Sequence, residues 1–384
     1  MTRSAITCSK TVYQSWWPHN HREPIRPKDL RVLNFDQLFD WQNLWYDAVQ
    51  VNINTILLVG PPLYQTSQFL KNTCFISAND AIAPYSFHEM DRACVTAVTV
   101  SGIVDQLILK SYGHSIPIQV NQQSNMFENQ RVIVTISQDH PIEWLKQWID
   151  YHYQVHDITG FLLYNNQSKN YTSDELQNLL DRDDLTIQVV DWPYPFGVMG
   201  GGDWTDGDRS GTSLPWDSDY AQYVMLEHAK YRFLYNAKTV INADTDELLL
   251  VNNWDWIENE FENTETCVLS YNGTWIEPID LSGNSAHTTS IQNRKFSDYV
   301  LTENNSHRGI SRKWMLKPSK CLQTQWGLHD VQAITNKTDQ IGFGHFLAMN
   351  TSWSYTRDHY DGNRENLVQM PLLVDHLNRW TQHI

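Results

Sequence analysis

Asp244-Thr245-Asp246-Glu247 follows directly on Ala237–Ala243 (AKTVINA), which reads as a strand. On an extended strand, residues two apart point to one face, so Asp244 and Asp246 are expected side by side. Two neighbouring carboxylates repel unless a cation sits with them. Hard divalent ions such as Mn²⁺ or Mg²⁺ prefer oxygen ligands and bridge phosphate oxygens. Such an ion is a Lewis acid toward a departing diphosphate. Taken alone, the same pair also fits a solvated turn after a strand. Glu247 either orients the ligands from behind or opens the next helix.

The elements around the triplet favour the chemical reading. Arg131–Ser137 (RVIVTIS) is a continuous β-branched run, as in a buried parallel strand. From Pro141 to His156, apolar residues at Ile142, Leu145, Ile149 and Tyr153 predict an amphipathic helix. Gly160–Tyr164 and Thr186–Val190 read as strands, with a helix over Ser173–Asp181 between them, opened by a capping box from Ser173. A helix from about Tyr220 to Tyr235 leads into the strand before the triplet. Alternating β and α elements predict an α/β fold, a mostly parallel sheet flanked by helices. Ligands in such sheets lie beyond the carboxyl ends of the strands, where the triplet falls.

Upstream, the short β-type runs between Thr55 and Val120 predict a smaller β-rich domain. Residues 1–30 read as an irregular arm, the polar stretch Asn121–Asn129 as a linker and Gly197–Gly211 as a Gly- and Asp-rich loop. The expected division is a β-rich N-terminal domain over 1–128, the α/β domain over 129–350, and a C-terminal extension over 351–384 packing on it.

Among 384 residues, 28 are basic and 44 acidic, a net charge of −16. So negative a surface repels a phosphate backbone and argues against nucleic-acid binding. A nucleotide diphosphate is still admissible, because a metal can neutralise it. The 16 Trp and 18 Tyr offer flat faces suited to sugar rings, although each on its own is more often core. Five cysteines without CxxC spacing signal neither a disulfide framework nor a zinc site. No apolar run is long enough for a membrane span, and the first ten residues lack a signal-peptide pattern. A cytoplasmic enzyme is expected, or one resting on a membrane surface.

Several of these segments together resemble the family 92 (DUF23-type) glycosyltransferases and their bacterial relatives. The helix carries Trp148-Ile149-Asp150-Tyr151-His152, and the second strand ends Tyr164-Asn165-Asn166-Gln167-Ser168. Gln222, His228 and Arg232 match a Q-x5-H-x3-R pattern, and Val240–Leu249 matches the family's D-x-D-E segment. Lys313–Pro318 and Gly327-Leu328-His329 match two later pieces. Gln138-Asp139-His140 departs from the usual K-N-E, and the first 120 residues match nothing in the pattern.

The resemblance implies a GT-A-type domain that moves a sugar from a nucleotide donor, UDP in the first instance, to a glycan hydroxyl, with inversion. Asp244 and Asp246 would bind Mn²⁺ or Mg²⁺ with His329 as third ligand. Asp139, Asn165 and Asp244 would face the nucleotide. The general base would be Glu277, beside the sugar-stacking candidate Trp275, or Asp330. Trp353 and His359 would close over the donor. Rival classes are a metal-dependent phosphoryl- or nucleotidyl-transfer enzyme, which needs a further acidic set not found here, and a non-catalytic carbohydrate-binding protein.

Overall fold

A computed structural model describes residues 3–9, 11–12, 21–77, 81–198, 219–304, 312–351 and 357–382. Its centre is a nine-stranded mixed sheet. The strands are β1 (Arg131–Ser137), β2 (Gly160–Asn165), β3 (Thr186–Asp191), β4 (Thr239–Asn242), β5 (Glu247–Val251), β6 (Val268–Ile276), β7 (Arg312–Leu316), β8 (Thr335–Lys337) and β9 (Ile341–Phe346). Their order is 3-2-1-4-7-6-9-5, with β8 paired to β6. The half formed by β3, β2, β1 and β4 is parallel. In the other half β7 runs antiparallel to β4 and β6, and β5 antiparallel to β9. Helices α1 (Ile142–His156), α2 (Ser173–Leu180), α3 (Tyr220–Arg232), α4 (Pro318–Cys321) and α5 (Pro371–Thr381) flank it. This is the expected α/β architecture. The capping box of α2 belongs to Thr172 and Glu175, one residue before the expected cap, because the Thr172 hydroxyl accepts from Glu175 N while the Glu175 carboxylate accepts from Thr172 N.

The N-terminal region forms two further sheets. The five-stranded one runs Asn121–Gln122, Asp47–Asn52, Thr55–Gly60, Ala93–Thr99, Tyr85–Met90, and the four-stranded one runs His114–Gln119, Gln106–Ser111, Thr73–Ile76, Ile82–Ala83. Trp45, Leu58, Phe75, Leu107 and Leu109 share a core between them. α3 is buried almost all round. Its Ala221, Val224 and Met225 join one cluster with Val59 and Val95 of the five-stranded sheet and with Val132 and Val134 of β1. Buried on every side, α3 has no solvent face and so carries little amphipathic pattern.

Two segments expected to be loose are woven in. Asn121–Gln122 pairs with Asp47–Asn52, Ser124 N donates to Arg232 O, and Phe127 is fully buried, so the polar stretch 121–129 is pinned. In the arm, Ile6 bridges to Val190, extending the sheet past β3. Most of the Gly197–Gly211 loop lies outside the described residues. All five cysteines are free thiols. Among the described residues, no helix is long and apolar enough to cross a membrane.

Candidate active site

β1 has β2 on one side and β4 on the other, so the strand order reverses at β1 and a crevice opens beyond its carboxyl end. A cleft of about 340 Å³ lies there, its lining including His140, Asp244, Asp246, Trp275, His329 and His345.

The acidic triplet reaches this cleft on a turn. β4 ends at Asn242, and Glu247 N donates to Asp244 O at 3.1 Å. The two aspartates are therefore not side by side on an extended strand, as the sequence suggested, but diverge toward different cations. Lys313 Nζ of β7 lies 2.8 Å from Asp244 Oδ2, and His345 Nε2 of β9 lies 3.2 Å from Asp246 Oδ2. Asp244 Oδ1, on the cleft side, is 3.4 Å from Gln222 Nε2. Burial works against ionised Asp246, but His345, Arg357 and His140 more than offset it and hold the carboxyl below the usual range. Burial also opposes charge on Lys313, yet Asp244 and Glu247 raise its pKa. His345 is likewise raised against burial, by Asp246 and Glu247. His140 links the end of β1 to the turn, with Nδ1 2.9 Å from Ser137 Oγ and Nε2 3.0 Å from Thr245 Oγ1.

Glu247 opens a strand rather than a helix. Its Oε2 accepts from Asp244 N at 2.9 Å and lies 3.4 Å from Lys313 Nζ, so it braces the turn from behind. Burial, followed by the nearby Asp244 and Asp246, raises its pKa against Lys313 and His345.

β5 is an edge strand, and exposed backbone donors and acceptors must find partners. Side chains of α1 and α5 supply them. Trp148 Nε1 donates to Glu247 O at 2.9 Å, Tyr151 Oη and His156 Nε2 both donate to Leu249 O at 2.7 Å, and His152 Nε2 accepts from Leu249 N at 3.3 Å. His376 Nε2 accepts from Val251 N at 3.1 Å. The Trp148, Tyr151 and His152 of the sequence motif thus do no chemistry themselves; they clamp the strand that begins at the acidic turn.

His329 sits at the tip of a turn closed by the Trp326–Val331 bridge and the Gly327 N to Asp330 O bond of 2.8 Å. Asn242 Nδ2 holds Leu328 O at 2.8 Å, Trp314 Nε1 holds Gly327 O at 2.7 Å, and Glu227 Oε1 accepts from Trp326 N at 3.0 Å. His329 Nδ1 is 2.9 Å from Arg312 O. A carbonyl only accepts, so Nδ1 carries the proton. Desolvation and the Lys313 ammonium lower the His329 pKa. The neutral ring therefore keeps its Nε2 lone pair, the arrangement typical of a metal-ligating histidine.

Asp244, Asp246 and His329 thus line one cleft, although their ligand atoms do not all lie within 4.8 Å of one another. Two carboxylates and a neutral imidazole fit Mn²⁺ or Mg²⁺ as a donor set.

The other expected site residues are not brought to the cleft lining. Asp139 Oδ1 accepts from Lys169 N and Asn170 N at 2.7 and 2.9 Å, which ties up its carboxylate in a turn. Asn165 is buried between Ser168 and Ser173. Its neighbour Asn166 does line the cleft, with Nδ2 donating to Trp192 O and Tyr194 O and Oδ1 buried without a partner among the described residues. Glu277 is fully buried just past Trp275, and Asp330 is exposed on the far side of its turn. His359 pairs with Asp361 at 2.8 Å, and Trp353 lies outside the described residues. Sequence reasoning missed Lys313 as a partner of Asp244, and His140, His345, Asn166 and Arg357 altogether.

Among the described residues, the set whose ligand atoms do gather within 4.8 Å is Cys8, Asp47 and His228. This cluster already has its own cation and hydrogen bonds. Arg232 Nη1 already places a cation 2.7 Å from Asp47 Oδ2, His228 Nε2 donates to the same oxygen at 2.8 Å, and Tyr164 Oη donates to His228 Nδ1 at 2.7 Å. His228 and Arg232 of the sequence motif therefore fasten α3 to the N-terminal sheet.

Comparison with known proteins bears on the family of the chain. The model of glycosyltransferase family 92 matches residues 137–369. No curated protein matches the chain. Among solved structures, the mannosyltransferase Ktr4p from S. cerevisiae is 12% identical, with 40% of each chain covered and a TM-score of 0.23, so the match spans less than half of that protein. Core-mannan synthase A from Aspergillus fumigatus, in an Mn/GDP form, is 8% identical over 68% of this chain and 88% of its own, with a TM-score of 0.27. Both likenesses are slight. The family match spans more than half the chain and takes in the acidic turn, the His329 turn and β9, and on it the chain belongs to glycosyltransferase family 92.

Proposed function

We propose that the cleft binds a nucleotide-sugar donor, UDP-linked in the first instance, through a divalent cation, and transfers the sugar to a glycan hydroxyl with inversion. The observation that carries this reading is the delivery of Asp244 and Asp246 to the crevice where the strand order reverses, with His329 on the same cleft. Asp244, Asp246 and the Nε2 of His329 would hold Mn²⁺ or Mg²⁺. When bound, the ion would offset the charge of the departing diphosphate. Lys313 pairs with Asp244, and His345 pairs with Asp246 and keeps its carboxylate ionised. Asn166 Oδ1, buried on the cleft, is the candidate acceptor for a hydroxyl or N–H of the nucleotide, in place of Asn165. Trp275, on the cleft lining, offers its ring to the acceptor sugar.

In the transfer the acceptor oxygen bonds to the anomeric carbon as the bond to the diphosphate oxygen breaks, and the hydroxyl proton passes to a base. Neither Glu277 nor Asp330 lines the cleft, so the reading assigns that step to neither.

Calorimetry of UDP and of GDP, with Mn²⁺ and with EDTA, tests the proposal. Wild-type chain should bind at least one nucleotide only with Mn²⁺, and Asp246→Asn should lose that dependence while still unfolding cooperatively, at a lower Tm because His345 loses its partner. Equal affinity in EDTA for whichever nucleotide binds would sink it.

A further inference from the structure

A second concavity of about 310 Å³ shares no lining residue with the acidic cleft. One wall is the outer strand of the five-stranded sheet, Tyr85–Met90, which presents Phe87 and His88. The facing wall comes from the end of α3 and the segment after α4, with Tyr231, Gln323, Gln325 and Gln332. The volume lies at the lower end of small-molecule clefts, which span roughly 300–1,000 Å³.

Its chemistry is polar without charge. Among the described residues, no carboxylate lines it, and its one ammonium, Lys230, is 1% exposed and turned to Glu227 at 2.5 Å and to Thr324 O at 2.8 Å. Phe87 is 41% exposed and Tyr231 half-buried, so aromatic surface faces the space. The amides are preset. Buried Gln325 donates to Asp91 O at 2.6 Å and accepts from Asp91 N at 3.2 Å, and its Oε1 also takes Gln332 Nε2 at 2.9 Å. A phosphate or carboxylate ligand would find the Lys230 ammonium already paired. A neutral pyranose matches both features, with a C–H face for an aromatic ring and hydroxyls for amides that donate and accept.

The groove is also tied to the catalytic cleft. Gln325 and Gln332 flank the Trp326–Val331 bridge, and the turn it closes carries Leu328 and His329 into the acidic cleft. We propose that this groove is a second saccharide site that holds a neutral oligosaccharide chain away from the reacting centre. Only the identity of that chain as the acceptor rests on the transferase reading.

The test titrates the full chain by calorimetry with neutral hexasaccharides built from glucose, mannose, xylose, galactose or N-acetylglucosamine. Phe87→Ala combined with Gln332→Ala changes two exposed side chains and should leave Tm and Mn²⁺-dependent nucleotide binding unchanged. At least one hexasaccharide should bind the wild type, and its Kd should rise about tenfold or more in the double variant. Hexasaccharide binding that the double variant does not weaken, or no binding by any of the five, overturns the proposal. Nucleotide-sugar turnover by the wild type reads the transferase assignment separately, so the two ideas fail independently.

Discussion

Lys313 Nζ, 1% exposed at the start of β7, lies 2.8 Å from Asp244 Oδ2 and 3.4 Å from Glu247 Oε2. One buried cation thus serves two acidic groups of the turn. Removing it takes the cation from part-exposed Asp244 and from buried Glu247, whose raised pKa lets it protonate, so the cost should be that of an unsatisfied buried group, about 1–3 kcal/mol. Lys313→Met should therefore lower denaturant stability by an amount on that scale and reduce transferase turnover by more than about tenfold. Equilibrium urea unfolding measures the first. A stability within about 0.5 kcal/mol of wild type would show that the pair contributes nothing net.

The clamp on β5 predicts an order of severity. Leu249 O accepts from both Tyr151 and His156, so Tyr151→Phe leaves one donor in place and should cost about 1 kcal/mol. His152→Ala leaves the buried Leu249 N–H without its acceptor and also opens a cavity, so it should cost more, on the order of 2–4 kcal/mol. Because β5 begins at Glu247, the more damaging variant should also weaken Mn²⁺ binding. Equal losses from the two substitutions would contradict the backbone-partner account.

The same histidines make stability fall in acid. Burial lowers the folded-state pKa of His152 to about 3 and of His376 to about 4, against an unfolded value of about 6.5. Between those limits the unfolded chain binds protons that the folded chain refuses, so stability rises with pH. The contribution is fully present above about 6.5 and is lost as pH falls toward 4 and then 3. Asp246, held below the carboxylate range, titrates lower still. Tm should drop steadily from pH 7 to pH 4, and His376→Gln, though less stable at pH 7, should show a shallower slope. A wild-type slope no steeper than that of His376→Gln would rule the mechanism out, since the raised Glu247 and His345 act the other way in both chains.

Much of this was legible in the sequence. The β-branched run of β1 and the 3.6-residue spacing of α1 announce buried strand and amphipathic helix because each period matches one geometry. The acidic triplet announced itself because clustered carboxylates are costly without a partner. The partners were hidden by topology. His345 reaches Asp246 only because β9 pairs antiparallel with β5, with Glu247 opposite His345, and nothing local in Gly344-His345-Phe346 states that register. Lys313 reaches Asp244 because β7 pairs antiparallel with β4, which the parallel pattern upstream does not foretell. The shift from Asn165 to Asn166 is a period-two matter. Successive strand residues face opposite sides, and the sequence did not say which side the cleft takes. The motif alone does not say what His152 and His228 do. Only their buried partners, Leu249 and Asp47, decide the point.

His329 gives the most discriminating prediction. Its Nδ1–H is spent on Arg312 O, and its turn is held through Asn242, Trp314 and Glu227, so the ring is oriented before any ligand arrives. If Nε2 is a metal ligand, His329→Ala should weaken Mn²⁺ binding about tenfold or more, in line with losses seen when metal-site groups are removed. It should do so with little change in Tm, because the backbone anchors of the turn remain. Glu227→Gln provides the contrast. It keeps the ring but disturbs the acceptor of Trp326 N and the partner of Lys230, so it should lower Tm and weaken Mn²⁺ only through loosening of the turn. Calorimetric Mn²⁺ titration in the presence of UDP or GDP separates the two. Wild-type Mn²⁺ affinity in His329→Ala would remove His329 from the ligand set and leave Asp244 and Asp246 to hold the ion with the nucleotide.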